Sequence, residues 1–330
     1  MQVIYPAKEN LRQTLQVTPD NSLDVIVMIT AALDPLSGEH LKAYLAECVR
    51  ALKPRGLLFV QGCPNYLPEL GVYLDQYLIF KYWIAVQSML QARVNGPPSV
   101  HAGILLFTKG TDRFNVKRVR FPHQNCANCG KPLKDWGGKQ HLMHPDGFVM
   151  SDVWTSLPPR DNYSRISAPV LDTILQMADF ETDQDVRVIV GPFEGIEQGG
   201  TVAESTAQYV LPGFAQAAEV YDEAIEDMSD ELFNVVHRGD ALEILKRYPD
   251  NSIDLAFADP PYNLDKPYHA YADERDDYVA WCNAWLAEYV RVLKPTGSLY
   301  VLNLPRWTMY HAAFLNRHLC FQNWIVWDAL

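Results

Sequence analysis

Two kinds of hydrophobic pattern alternate along this chain. Leu23–Ile29 (LDVIVMI) and Ile253–Ala258 (IDLAFA) are short, nearly continuous apolar runs, each entered from Pro-Asp-Asn-Ser. Runs of that length, bounded by turn residues, predict strands buried on both faces. Behind each comes a longer stretch with helical spacing that closes on Leu-Lys-Pro-x-Gly, at residues 52–56 and 293–297. Lys in a last turn, followed by Pro and Gly, predicts a helix stop there. A further apolar run follows in each case, at 57–61 and 298–302, and is expected to be the next strand. Strand, helix, strand in that order predicts βαβ units and a parallel sheet, an α/β fold.

The pattern recurs because the sequence does. Residues 19–24 read PDNSLD and residues 249–254 read PDNSID, 230 positions apart. Residues 44–64 (YLAECVRALKPRGLLFVQGCP) align with 285–305 (WLAEYVRVLKPTGSLYVLNLP) at an offset of 241, with 12 of 21 positions identical. The same offset sets Trp83-Ile84 on Trp324-Ile325. The 11-residue change between the offsets reads as a deletion in the first copy, just after its first strand. The chain is therefore read as a tandem duplication. Residues 1–218 form the first unit, 219–232 an acidic linker, and 233–330 the N-terminal part of a second unit.

One tetrapeptide carries chemistry. Asp259-Pro260-Pro261-Tyr262 stands at the C-terminal end of a predicted buried strand, where open α/β sheets bind ligands. An exocyclic amino group on adenine or cytosine is a poor nucleophile, because its lone pair is delocalised into the ring. Two acceptors on its N–H bonds would hold the nitrogen towards tetrahedral geometry and free that lone pair. The Asp259 carboxylate supplies one acceptor and the Pro260 carbonyl the other, since paired prolines fix the backbone and bring no competing donors. Tyr262 offers a flat face for a flipped base. In the first copy Ile29-Thr30-Ala31-Ala32 align with these four residues. That copy lacks the acceptor, the prolines and the ring.

With its flanks, FNVVHRGDALEILKRYPDNSIDLAFADPPYN (233–263), this loop resembles the S-adenosylmethionine-dependent amino-group DNA methyltransferases. The likeness is to the subgroup in which the catalytic loop precedes the cofactor loop. The resemblance implies a Rossmann-like methyltransferase sheet, S-adenosylmethionine as cofactor and double-stranded DNA as substrate. The methyl group would go to adenine N6, or to cytosine N4. It also implies a cognate restriction or defence nuclease as a further partner, and a cofactor-side role for Asp240. RNA as substrate and a non-catalytic DNA-binding protein are the alternatives. Glutamine methyltransferases of this kind place Asn where Asp259 stands.

Residues 186–204 (VRVIVGPFEGIEQGGTVAE) run from an apolar strand into a Gly-rich turn, an arrangement that lets backbone approach a ligand. By resemblance this is an eroded cofactor loop. Gly191 replaces its Asp, while Pro192, Phe193, Gly195, Gly199 and Gly200 remain. The second unit's own loop would fall near position 432, the sum of 191 and the offset of 241. Residues 1–330 alone are therefore expected to bind S-adenosylmethionine poorly and not to methylate DNA.

A separate constellation, Cys126-x2-Cys129 with His141 and His144, lies at 123–144, with His123 as a substitute ligand. It has the donor set of a structural zinc site. The remaining cysteines, Cys48, Cys63, Cys282 and Cys320, read as small apolar groups within regular elements.

Composition changes this picture little. The 330 residues are 48% apolar and 21% charged, ordinary for a globular protein and outside the collagen-like and disordered classes. The net charge of −12 opposes a nucleic-acid partner only as a sum. Residues 219–231 hold seven acidic and no basic residues, whereas Lys109, Arg113, Lys117, Arg118 and Arg120 cluster elsewhere. The local field, not the total, decides what such a surface attracts. No apolar window is long enough to span a bilayer and the N-terminus lacks a signal-peptide pattern, so a cytoplasmic, nucleoid-associated protein is expected.

Overall fold

The computed structural model describes residues 1–33, 38–91, 99–110, 119–123, 125–126, 128–131, 138, 140–154, 165–178, 186–193, 232, 234–265, 267–268 and 271–327. They fall in two compact units, Met1–Tyr209 with Gln322–Leu330, and Val210–Phe321. The acidic segment and the expected boundary at 218 lie outside the described residues.

The first unit runs β1 (Gln2–Ile4), α1 (Lys8–Val17), β2 (Leu23–Ile29), α2 (Gly38–Ala51), β3 (Leu52–Gly62), α3 (Leu67–Leu74), β4 (Ile79–Gln91), β5 (Ser99–Thr108), β6 (Arg120–Phe121), β7 (Phe148–Val149), β8 (Val153–Trp154), α4 (Ala168–Met177) and β9 (Arg187–Gly191). Seven strands form one sheet in the order β1-β9-β2-β3-β5-β4-β8. β1, β9, β2 and β3 are mutually parallel, as expected. β5 departs from that pattern, pairing antiparallel with both β3 and β4. Consecutive strands that pair directly, as β4 and β5 do, take the antiparallel hairpin arrangement.

The second unit runs α5 (Ala241–Leu245), β10 (Ile253–Ala258), β11 (Pro267–Tyr268), β12 (Tyr271–Ala272), α6 (Tyr278–Val292), β13 (Leu293–Val301) and α7 (Pro305–Leu315). Its β10 and β13 pair in parallel as a two-stranded sheet.

The helix stops are displaced from the sequence expectation. α2 ends at Ala51 and α6 at Val292, so the Leu-Lys-Pro-x-Gly segments open the next strands instead of closing the helices. The residue before proline is pushed out of helical geometry. Lys53 then reaches sideways to Asp24 at 2.8 Å, and Lys294 to Asp254 at 2.8 Å. The basic residues of the last helical turns are Arg50 and Arg291.

The contacts around those arginines recur in the two units. Arg50 donates to Asp20 (2.5 Å) and to the carbonyls of Thr18 (2.9 Å) and Leu15 (2.8 Å). Arg291 donates to Asp250 (2.6 Å) and to the carbonyls of Tyr248 (2.9 Å) and Leu245 (3.0 Å). Asn21 and Asn251 both turn in the left-handed region, at φ 50° and 53°. Strand register also matches: Leu23 faces Leu52 and Val25 faces Leu57, while Ile253 faces Leu293 and Leu255 faces Ser298.

Burial separates the units. Val25, Val27, Leu57 and Phe59 are fully buried in one cluster with Trp154 and with Val170, Leu171, Ile174 and Met177 of α4. At the matching positions of β10 and β13, Leu255 is 64% exposed, Phe257 62% and Tyr300 46%. Only the opposite face of that two-stranded sheet is packed, through Ala258, Leu299 and Val301 against Tyr278, Cys282, Trp285 and Leu286. No helix among the described residues is long and apolar enough to cross a membrane.

Gly56 is a tight point at the first unit's strand start. A Cβ there would lie 2.9 Å from the Lys53 carbonyl oxygen and 3.0 Å from that of Asp24. Gly56→Ala should therefore destabilise the first unit by about 1–3 kcal/mol, the usual cost of overpacking. Urea unfolding followed by fluorescence reads this as a lowered midpoint at unchanged slope.

Candidate active site

β10 delivers Asp259-Pro260-Pro261-Tyr262 at its C-terminal end. The strand holds its last carbonyl, that of Ala258, on the Leu302 N–H at 2.8 Å. Beyond it, α6 and α7 engage two of the loop's backbone carbonyls. The Pro261 carbonyl accepts from the Tyr278 hydroxyl of α6. The Tyr262 carbonyl accepts from the Trp307 indole N–H of α7 at 3.0 Å. Among the described residues no donor meets the Pro260 carbonyl. The loop's exit is fixed as well. Asn263, at φ 56°, accepts from the Arg275 N–H at 2.7 Å, and Asp273 accepts from the Leu264 N–H at 3.0 Å.

The Asp259 carboxylate is exposed, and one of its oxygens accepts from the Tyr262 hydroxyl at 2.8 Å. The ring that could stack on a base is thereby tied to the acceptor carboxylate. The arrangement can hold one amino group between two acceptors.

Sequence reasoning finds the loop but misses what holds it: Tyr278, Asn303, His311 and Trp307. By residue type alone Trp307 reads as core. Asn303 donates to the Tyr278 oxygen (2.8 Å) and lies 3.0 Å from His311 Nε2. Burial pushes the His311 pKa down to about 4, and it also pushes the Tyr278 hydroxyl well above its ordinary value. The one signal available in the sequence is the exchange of residue types between the repeats at these positions.

In the first unit the matching strand end is filled. Thr30, Ala31, Ala32 and Leu33 are all buried, and the Thr30 hydroxyl donates to the Gln61 carbonyl at 2.7 Å. At the end of β9 a Cβ on Gly191 would meet Leu11 Cδ1 at 2.9 Å and Pro6 Cγ at 3.0 Å. Phe193 donates its N–H to the Pro6 carbonyl (2.9 Å), and its ring packs on Tyr5 with centroids 4.7 Å apart. A side chain at the position of the missing Asp would have to displace Leu11 Cδ1 and Pro6 Cγ, so this strand end departs from the cofactor loop that the resemblance implied. Gly195, Gly199 and Gly200 lie outside the described residues. Asp240 is the N-cap of α5, with Oδ1 accepting from Leu242 N–H (2.9 Å) and Glu243 N–H (3.2 Å). A helix cap accounts for it locally.

The zinc set is not assembled. Among the described residues no three His, Cys, Asp or Glu side chains come together as a metal-binding group. The histidines are engaged with backbone instead. His123 Nε2 lies 2.8 Å from the His144 carbonyl, and His144 Nδ1 accepts from the Asp146 N–H at 3.2 Å. His141 sits exposed in a short 3-10 turn, Gln140–Leu142. What forms is a tight cysteine turn, with Gly130 N–H on the Cys126 carbonyl at 2.8 Å.

Comparison with known proteins bears on the chemistry of this loop. Residues 253–329 match the family described as DNA methylase, N6_N4_Mtase. A type II methyltransferase of Bacillus amyloliquefaciens, M.BamHI, is 45% identical over 96 residues, 28% of this chain and 23% of the relative. The DNA adenine methyltransferase YhdJ of Escherichia coli (strain K12) is 42% identical over 76 residues, 22% of this chain and 26% of the relative. The aligned stretches thus span about a quarter of the length of these relatives. A DNA modification methylase from Thermus thermophilus, solved with S-adenosyl-L-methionine, aligns over 58% of this chain and 89% of its own. Its identity is 14% and the TM-score 0.33, too distant to bear on the argument.

The cysteine turn has a testable consequence. Backbone N–H groups of Cys129 and Asn128 point at the Cys126 sulfur and hold its pKa below the usual thiol value. Burial pushes Cys282 up to about 12 and Cys48 higher still. Thiolate is the reactive form, so Cys126 should alkylate first near neutral pH. Iodoacetamide labelling of the folded protein, read by peptide mass spectrometry, should modify Cys126 well before Cys48 and Cys282.

Proposed function

We propose that this chain is part of a site-specific DNA methyltransferase that modifies the exocyclic amino group of a flipped base, adenine before cytosine. The observation that carries the reading is the loop at the end of β10. There the Asp259 carboxylate and the unengaged Pro260 carbonyl are two acceptors beside an aromatic ring, within the stretch that matches the DNA methylases. Two acceptors on one amino group draw its nitrogen towards tetrahedral geometry, and positioning of that kind supplies much of a rate enhancement. Asp259, Pro260, Pro261 and Tyr262 are the residues assigned to this task. The name of the adenine-specific relative supports adenine.

The reading takes S-adenosylmethionine as methyl donor and double-stranded DNA as substrate. Asp240 is kept as a candidate contact on the cofactor side. A cognate nuclease and a cytoplasmic, nucleoid-associated location belong to the same proposal. It also takes the two units as copies of one ancestor, the first eroded and the second incomplete. Two things support this: the recurring arginine contacts, and the uncovered face of β10 and β13. Leu255 and Phe257 are largely in water. That forgoes about 1.5–3 kcal/mol each relative to the buried state their counterparts enjoy.

In the natural protein that carries these residues, Asp259→Ala should lower methyl transfer to duplex DNA by roughly 10²–10³, as loss of one preorganised polar partner does elsewhere. DNA binding should persist. Tyr262→Ala should cost more than Tyr262→Phe, because stacking needs the ring and not the hydroxyl. Transfer of radiolabelled methyl groups to DNA and to RNA in parallel is the assay. Substantial methylation by Asp259→Ala, or a preference for RNA, would overturn the corresponding part of the reading.

Residues 1–330 alone should bind S-adenosylmethionine weakly, because the first unit's strand end is filled by Pro6, Leu11 and Tyr5. Isothermal calorimetry tests it. Micromolar affinity that disappears in Gly195→Trp would mean that the first unit holds cofactor after all.

A further inference from the structure

The amino-acceptor loop rests on a directional chain of hydrogen bonds, and every donor in that chain can be assigned. The Leu304 N–H donates to Asn303 Oδ1 at 2.7 Å, which fixes which end of the amide is oxygen. The Asn303 amide nitrogen then has two hydrogens and two neighbours, the Tyr278 oxygen at 2.8 Å and His311 Nε2 at 3.0 Å. His311 must accept at Nε2. It is therefore neutral, with its proton on Nδ1, as its burial at 1% exposure also demands. Tyr278, having accepted from Asn303, keeps its own proton to donate, and the Pro261 carbonyl receives it. The order runs His311, Asn303, Tyr278, Pro261, with the His311 Nδ1–H buried and without a hydrogen-bond partner among the described residues.

The internal repeat indicates what this chain of residues is for. At the offset of 241, Asn303 aligns with Gly62, His311 with Leu70 and Tyr278 with Ser37. The first unit builds the same strand register without any of the three. A Cβ on Gly62 would already lie 2.6 Å from the Thr30 hydroxyl and 2.8 Å from that of Tyr66, so an Asn there would have to displace both side chains. All three polar residues are absent from the copy that lacks Asp-Pro-Pro-Tyr. They accompany the loop and not the fold.

We propose that Tyr278, Asn303 and His311 are positioning residues for amino-group capture, holding the Pro261 carbonyl so that the Pro260 carbonyl and the Asp259 carboxylate stay aimed at the base. The proposal rests on the reading of the loop as an amino-group acceptor. With Pro261 held by Tyr278 and Tyr262 held by Trp307, the backbone that follows the Pro260 carbonyl is anchored on both α6 and α7. The Pro260 carbonyl then stays free for the substrate. Without the Tyr278 hydroxyl the Pro261 carbonyl would seek water and the peptide plane of Pro260 would rotate.

The test uses the whole chain without DNA or cofactor. Hydrogen exchange of the Leu264 and Arg275 amides, which close the loop's exit, should quicken about tenfold in Tyr278→Phe and in Asn303→Leu, the loss expected when one net hydrogen bond disappears. Exchange in α6 and β10 should stay at the wild-type rate. The double variant should go little beyond either single one, since both break the same chain. His311→Gln, which keeps an acceptor, should quicken exchange less than His311→Leu. Unchanged loop exchange in both Tyr278→Phe and Asn303→Leu would overturn the proposal. So would equal quickening throughout the second unit, which would mark a purely structural role. In the natural protein, Tyr278→Phe should lower kcat while KM for duplex DNA holds. A chain that passes the exchange test yet methylates normally as Asp259→Ala would overturn the functional reading and leave the positioning result standing.

Discussion

An arginine at the end of a crossover helix anchors the turn from which each of the two corresponding strands, β2 and β10, begins. Arg50 and Arg291 each tie an aspartate of the Pro-Asp-Asn-Ser turn and two helix-end carbonyls to the last turn of α2 or α6. The guanidinium meets this demand because its planar fork offers several donors in fixed directions. The arginines are partly open to water and their aspartates more so, so little of their worth is stability. Their effect is geometric. They fix where β2 and β10 start, and so where the residues after those strands arrive.

What arrives differs between the two strand ends. In the first unit Thr30, Ala31 and Ala32 are buried, with Thr30 bonded to the Gln61 carbonyl, so the end of β2 is closed by its own side chains. In the second, Pro260 and Pro261 cannot donate, and their carbonyls must be satisfied from outside the loop or stay free. Tyr278 and Trp307 satisfy the two carbonyls beyond Pro260. How the proline-rich turn is held therefore depends on helices α6 and α7 as much as on the loop.

The strand end at Gly191 is crowded, since a Cβ there would press on Leu11 and Pro6. Once an apolar core closes over such a position, restoring a side chain costs strain as well as desolvation. The first unit has a core built on α4 and the central strands of its sheet, and the second carries the Asp-Pro-Pro-Tyr loop on a sheet with one face packed and one bare.

The sequence alone determined the strands β2 and β10 to the residue, because buried apolar runs after Pro-Asp-Asn-Ser admit little else. The Asp-Pro-Pro-Tyr loop at the end of β10 was legible too, since its four residues are adjacent in the chain. The sequence misplaced the helix ends, because proline's effect on Lys53 and Lys294 outweighs the pull of a helix C-terminus on lysine. It assembled a zinc set from spacing, whereas the structure engages His123 and His144 with backbone groups. Only the tertiary structure decided which carbonyls of the loop are engaged, those of Pro261 and Tyr262. That choice is made by Tyr278, Asn303, His311 and Trp307, which lie well beyond the loop in the chain and converge on it only when α6 and α7 pack beside it. Hydrogen-bond direction is a property of that convergence, and no local pattern encodes it.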